Sequence, residues 1–201
     1  MNKTIRILGL IALVALVFPV IAGAVTEPKT KTEYPDAAVM DLTSGAVSLK
    51  VTGVGLREKT FLKVDVYTIV SYVGADFADT EGEALMAFDG PKRLQMDLRR
   101  GFSSDKLKKA FSETIEKNYD DMSAFEGDMA IFLAYFERDA EENDLIIFDY
   151  APGVGVTTTL NGEVKGTVNN AAFAEALWSV WFGKKPANGD LKKALLAELG
   201  S

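Results

Sequence analysis

The chain predicts an α+β fold, a large antiparallel sheet with a layer of helices on one face. Three observations carry this. Val47, Leu49 and Val51 alternate with Ser48, Lys50 and Thr52, and beyond a turn Leu62, Val64, Val66, Val70 and Tyr72 keep the same period of two. Alternation in β-branched residues marks half-buried antiparallel strands. Residues 103–140 then change to helical spacing, and Asn161-Gly162 joins two further strand-like runs before the chain ends in helices.

Taken in order, residues 1–24 have the three parts of a secretory signal peptide. Lys3 and Arg6 form a basic start, Ile7 to Ile21 is apolar apart from Gly9 and ends near Pro19, and Ala22-Gly23-Ala24 offers a small-x-small cleavage site. The apolar run is shorter than the ~20 residues of a membrane-spanning helix, so cleavage and export to the periplasm or beyond are expected, without stable membrane insertion afterwards. Residues 25–37 are polar and hold Pro28 and Pro35, which suggests a tether. A single domain is expected over residues 38–201.

Val51 to Val73 reads as two long strands. Gly53 and Gly55 are placed where a bend is expected, with Glu58-Lys59 as a polar tip. Asp76 to Asp89 predicts a short helix stopped by Gly90-Pro91, and Lys92 to Arg99 a strand with Leu94, Met96 and Leu98 on one face. Ser103 or Ser104 caps a helix to Asn118, along which Leu107, Phe111 and Ile115 step by four. A second helix is expected from Ala124 to Ala140, striped by Phe125, Met129, Phe132 and Phe136. Leu145–Ala151, Val154–Leu160 and Glu163–Val168 are strands, the last two joined by a type I′ turn at Asn161-Gly162. Asn169 or Asn170 caps a helix carrying Phe173, Leu177, Trp178, Trp181 and Phe182, and a last short helix runs from Asp190 to Leu199.

Composition removes several function classes. The chain has no histidine and no cysteine, so it has no Ser-His-Asp or Cys-His machinery, no disulfide and no His or Cys metal site. Any metal site would be built of oxygen, and no EF-hand spacing is present. The glycines of Pro152-Gly153-Val154-Gly155 are turn glycines, because no phosphate-loop lysine follows. No cofactor is expected. The net charge is −7, and removing residues 1–24 takes away only cations. An acidic surface speaks against nucleic acid and against anionic membrane as partners.

The strand face Phe61, Lys63, Asp65, Tyr67, Ile69, Ser71 mixes charged, aromatic and aliphatic groups. Buried unpaired charge is costly and exposed Phe and Ile gain nothing. The face is therefore either a cleft wall or the wet side of an amphipathic hairpin closed by an ion pair.

The stretch GVGLREKTFLKVDVY resembles the opening strands of the chalcone isomerase family, in particular its bacterial chalcone-isomerase-like branch. Two blocks follow in the family's order, Pro91 to Asn118 and Pro152 to Leu196, the latter closing with Trp181, Gly183, Pro186 and the Leu191-Lys192 helix start. The resemblance implies an open-faced β-sandwich, with a ligand cleft between the large sheet and the helix layer. It also implies two functions. Isomerases of the family close a chalcone ring with an arginine on the early hairpin, a threonine on the next strand, and a tyrosine and an asparagine by the next helix. Arg57 matches the arginine, Asp65 falls at the threonine's place, and residues 103–110 offer neither tyrosine nor asparagine. Relatives without the isomerase residues bind fatty acids, with the arginine on the carboxylate. The expected ligand is thus a small apolar anion held by Arg57, Lys63, Asp65 and Tyr67, with isomerase or intramolecular lyase chemistry as the alternative and a role toward a protein partner as a third. The alternative for Arg57 is a turn arginine paired with Glu58 or Asp65; if Lys63 neutralises Asp65 instead, Arg57 is left free. About 4 kcal/mol of Coulomb energy at 4 Å and an effective dielectric near 20 makes the choice decisive for the site.

Overall fold

The computed structural model describes residues 23–59 and 63–200. The leader expected at 1–24 falls almost wholly outside them, as do Phe61 and Leu62 of the expected second strand. Seven strands pair in sequence order as one antiparallel meander: β3 (Ala37–Leu42), β4 (Gly45–Lys59), β5 (Val64–Gly74), β6 (Lys92–Leu98), β7 (Leu145–Ala151), β8 (Gly155–Leu160) and β9 (Glu163–Val168). Two further strands, β1 (Ala24–Thr26) and β2 (Glu33–Pro35), form a separate hairpin. Helix α1 (Gly82–Ala87) lies between β5 and β6. Helices α2 (Ser104–Glu116) and α3 (Glu126–Ala134) fill the β6–β7 connection. Helices α4 (Ala171–Phe182) and α5 (Gly189–Ala194) follow β9.

The helices cover one face of the sheet. Ile69, Leu94, Met96, Leu98, Ile146 and Phe148 meet Phe111 and Ile115 of α2, Met129 and Phe132 of α3 and Phe173 to Phe182 of α4 in one buried cluster. Helix α4 is apolar nearly all round and sits at the centre, as such helices must. Its start is fixed by Asn170, whose side-chain oxygen accepts from the N–H groups of Ala172 and Phe173 at 2.8 and 3.3 Å.

The stretch expected to be a tether is instead the β1–β2 hairpin. Tyr34 is buried on the second face of the sheet with Met40, Leu49, Val70 and Tyr72. Its hydroxyl donates to Asp97 at 2.7 Å and shares a 2.7 Å hydrogen bond with Thr68. Polar composition misled here because the hairpin is held by hydrogen bonds and one aromatic anchor rather than by an apolar face.

The bend expected at Gly53 and Gly55 is also absent. Strand β4 runs on to Lys59, with a bulge of its own at Thr52 and one in its partner β5 opposite Arg57 and Glu58. The glycines serve close approach instead. A Cβ on Gly53 would lie 2.2 Å from the Ala194 carbonyl oxygen, and one on Gly55 2.6 Å from Leu191 Cδ1, so α5 packs directly on the β4 backbone. Thr52 Oγ1 donates to Leu195 O at 2.7 Å and fastens the same contact. Helix α3 ends at Ala134 rather than Ala140. Beyond it the Phe136 carbonyl accepts from Ser104 Oγ, Asp139 accepts from Ser104 N–H at 2.9 Å, and Ala140 bridges to Phe102. The Phe136 and Ala140 contacts take backbone groups that a longer helix would have used.

Candidate functional site

Between the sheet and helices α2 and α4 lies a cleft of about 430 Å³, within the usual size of small-molecule sites. Its floor is Val66 and Tyr67 of β5 and Met96 of β6. Its wall is Leu107 and Phe111 of α2 and Val180 and Trp181 of α4. Arg57, Lys59 and Lys117 bring positive charge to it and Glu113 negative charge.

Arg57 and Tyr67 sit opposite one another on adjacent strands. Arg57 is half-buried, and its Nη1 donates to the Glu58 carbonyl at 2.5 Å. No carboxylate pairs with it among the described residues. Tyr67 is buried, and its hydroxyl accepts from Trp181 Nε1 at 3.0 Å. Burial pushes the phenol up to about 12, while the Trp181 hydrogen bond and the Arg57 charge pull the other way. The phenol therefore stays protonated at neutral pH. Its oxygen is taken by the indole, so its hydrogen is left to donate. A guanidinium fork and a phenol donor that line one apolar cleft can both hydrogen-bond an anionic group.

Of the four residues the sequence singled out, the structure brings these two together and separates the others. Arg57 pairs with Tyr67 and Glu58 with Asp65, so Val66 is the extra residue of a bulge. An extra residue interrupts the period-two alternation, so the side chains on either side of it no longer share a face. Asp65 thus leaves the face of Tyr67 and meets Lys29 of the β1–β2 hairpin at 2.8 Å. The same ammonium reaches Glu58 at 2.5 Å. Neither expected partner of Asp65 is the observed one. Lys63 has left-handed backbone (φ 46), is exposed, and makes no ion pair among the described residues.

Phe111 and Trp181 were legible only as core positions on helical stripes. Lys59 and Lys117 carried no signal at all, since a lysine at a strand end or a helix C-cap is ordinarily solvated surface. Among the described residues no three carboxylates group as a metal site, and no helix is long and apolar enough to cross a membrane.

A family model described as chalcone isomerase-like matches residues 32–197. Among solved structures, a fatty-acid binding protein of Arabidopsis thaliana superposes with a TM-score of 0.68, covering 87% of this chain and 96% of that one at 19% identity. At that identity the likeness shows a shared fold. No curated protein sequence matches the chain.

Proposed function

From the premise that this chain belongs to the chalcone isomerase-like family, we propose that it is an exported binding protein for a small apolar anion such as a fatty acid. The observation that carries the reading is the pairing of Arg57, free of any carboxylate among the described residues, with the phenol donor of Tyr67 at the polar edge of the cleft. Arg57 takes the carboxylate as a fork, Tyr67 adds one hydrogen bond, and the chain lies along Met96, Leu107, Phe111 and Val180. The fatty-acid binding protein of similar fold supports this ligand class. Export rests on the leader pattern of residues 1–24, and N-terminal sequencing of the exported protein should begin at Val25.

Calorimetric titration with a long-chain fatty acid tests the site. Arg57→Ala should weaken binding at least about tenfold, the scale of one lost charge-assisted hydrogen bond. Tyr67→Phe should weaken it by a smaller factor. An Arg57→Ala protein that binds as well as the wild type would return Arg57 to a strand residue with no ligand.

A further inference from the structure

The cleft does not end at Arg57. Lys59, Val66 and Phe102 line both it and a trough of about 450 Å³, so the two adjoin. Three cations converge on the trough from three separate places: Lys59 at the end of β4, Arg100 in the β6–α2 connection and Lys106 in the first turn of α2. None of the three is in an ion pair among the described residues. Arg100 lies over the Phe102 ring, 5.9 Å from its centroid. Asp139 is the one acid of the lining, and its carboxylate already accepts the Ser104 N–H at 2.9 Å. The trough is thus a cationic spot on a chain of net charge −7. Unpaired like charges lining one trough repel one another, and an anion relieves that repulsion.

A carboxylate needs only Arg57 and Tyr67, and the three further cations exceed its charge. We propose that the trough is a phosphate site joined to the cleft, and that the ligand is a single-chain phosphate monoester lipid with its acyl chain in the cleft. The inference rests on the cleft reading above. A phosphate monoester carries about −1.5 to −2 charges at neutral pH and offers three acceptor oxygens, which suits three convergent cations. Arg57 and Lys59 are two residues apart on one strand, about 7 Å along it. A glycerol backbone between an acyl ester and a phosphate spans a similar distance. The ester carbonyl would then meet Arg57 and the phosphate would meet Lys59, Arg100 and Lys106.

The test is calorimetric titration of the intact chain with three probes: oleoyl glycerol phosphate, oleate and glycerol phosphate without a chain. The phosphate lipid should bind at least about tenfold more tightly than oleate, with a steeper loss of affinity as salt is raised. The double variant Arg100→Ala/Lys106→Ala alters two solvent-facing side chains. It should erase that advantage and leave oleate affinity unchanged, with an unchanged far-UV circular dichroism spectrum. Equal affinity of the two lipids for the wild type would overturn the inference while leaving the cleft reading intact. So would a double variant that weakens both lipids alike. Glycerol phosphate binding as tightly as the phosphate lipid would show a phosphate site independent of the cleft, which also overturns a joined ligand. Failure of both lipids to bind would overturn the cleft reading itself.

Discussion

Arg57 has no carboxylate partner among the described residues, and the two carboxylates beside it are held by another cation. Glu58 and Asp65 both turn to Lys29, at 2.5 and 2.8 Å. Their hydrogen bonds, that of Asp65 foremost, raise the Lys29 ammonium above its ordinary range. Asp65→Asn should therefore leave fatty-acid affinity unchanged, whereas Lys29→Ala releases both acids toward Arg57. In low salt that variant should bind about threefold more weakly, the modest scale of an exposed ion pair. Adding Asp65→Asn and Glu58→Gln to it should restore the loss. An Asp65→Asn single variant that binds more tightly than the wild type would show that Asp65 neutralises Arg57 after all. At this scale the sequence singled out Arg57 through the family resemblance and Tyr67 through the mixed strand face, and both line the cleft. The place of Asp65 was not legible, because one bulged residue, Val66, interrupts the alternation that would have set its face. Lys29 was invisible for a second reason. It belongs to a short polar hairpin whose single buried aromatic, Tyr34, gives no periodic signal.

Helices were easier to see than bends. The caps Ser103 and Asn170 were legible because a short polar side chain before an apolar stripe has one common use. Strands β7 and β9 were legible to their end residues. Strand β3 was missed, since only Met40 of its six residues is buried and its sequence barely alternates. Gly53 shows how a correct observation met the wrong cause. A glycine in a strand signals either a bend or a close neighbour, and here the neighbour is α5. Its φ of +156 and the nearness of the Ala194 carbonyl oxygen, which a Cβ would meet at 2.2 Å, leave no room for a side chain. Gly53→Ala should cost about 2–4 kcal/mol, combining backbone strain with overpacking against backbone. Gly127→Ala is the matched control. That glycine lies in α3 with nothing within 4 Å of its Cβ position, and gaining alanine there should stabilise by up to ~1 kcal/mol. Urea midpoints of the two variants decide it, and equal midpoints would mean that α5 does not rest on β4 as described.

Without cysteines the molecule stands on its two buried clusters, and the larger one contains a charge. Lys92 is 2% exposed. Its ammonium donates to the carbonyls of Leu85, Met86 and Phe88 at 3.3, 2.7 and 2.8 Å, closing the C-terminal end of α1. It also lies 5.0 and 5.2 Å from the ring centroids of Tyr150 and Trp178. Burial pulls its pKa from 10.5 down to about 7, against the opposing pull of Glu175 and Asp89. Below pH 7 both folded and unfolded chains hold this proton, and the folded state carries the full cost of the buried ammonium. Between pH 7 and 10.5 the unfolded chain binds the extra proton, so stability rises with pH, by at most about 1.4 kcal/mol per pH unit. The buried tyrosines act in the opposite sense. Burial raises Tyr67, Tyr72, Tyr119 and Tyr150 from 10.0 to about 12. Their contribution is complete below pH 10 and is lost as pH climbs from 10 through 12. Stability should therefore peak near pH 10, with one limb set by Lys92 and the other by the tyrosines. Lys92→Met separates the two. It strands the α1 carbonyls and should lower stability at pH 10 by about 2 kcal/mol, flatten the rise between pH 7 and 10, and leave the fall above pH 10 in place. Chemical denaturation across pH 6 to 12 measures both limbs, and a Lys92→Met protein that still gains stability from pH 7 to 10 would assign that limb to some other group.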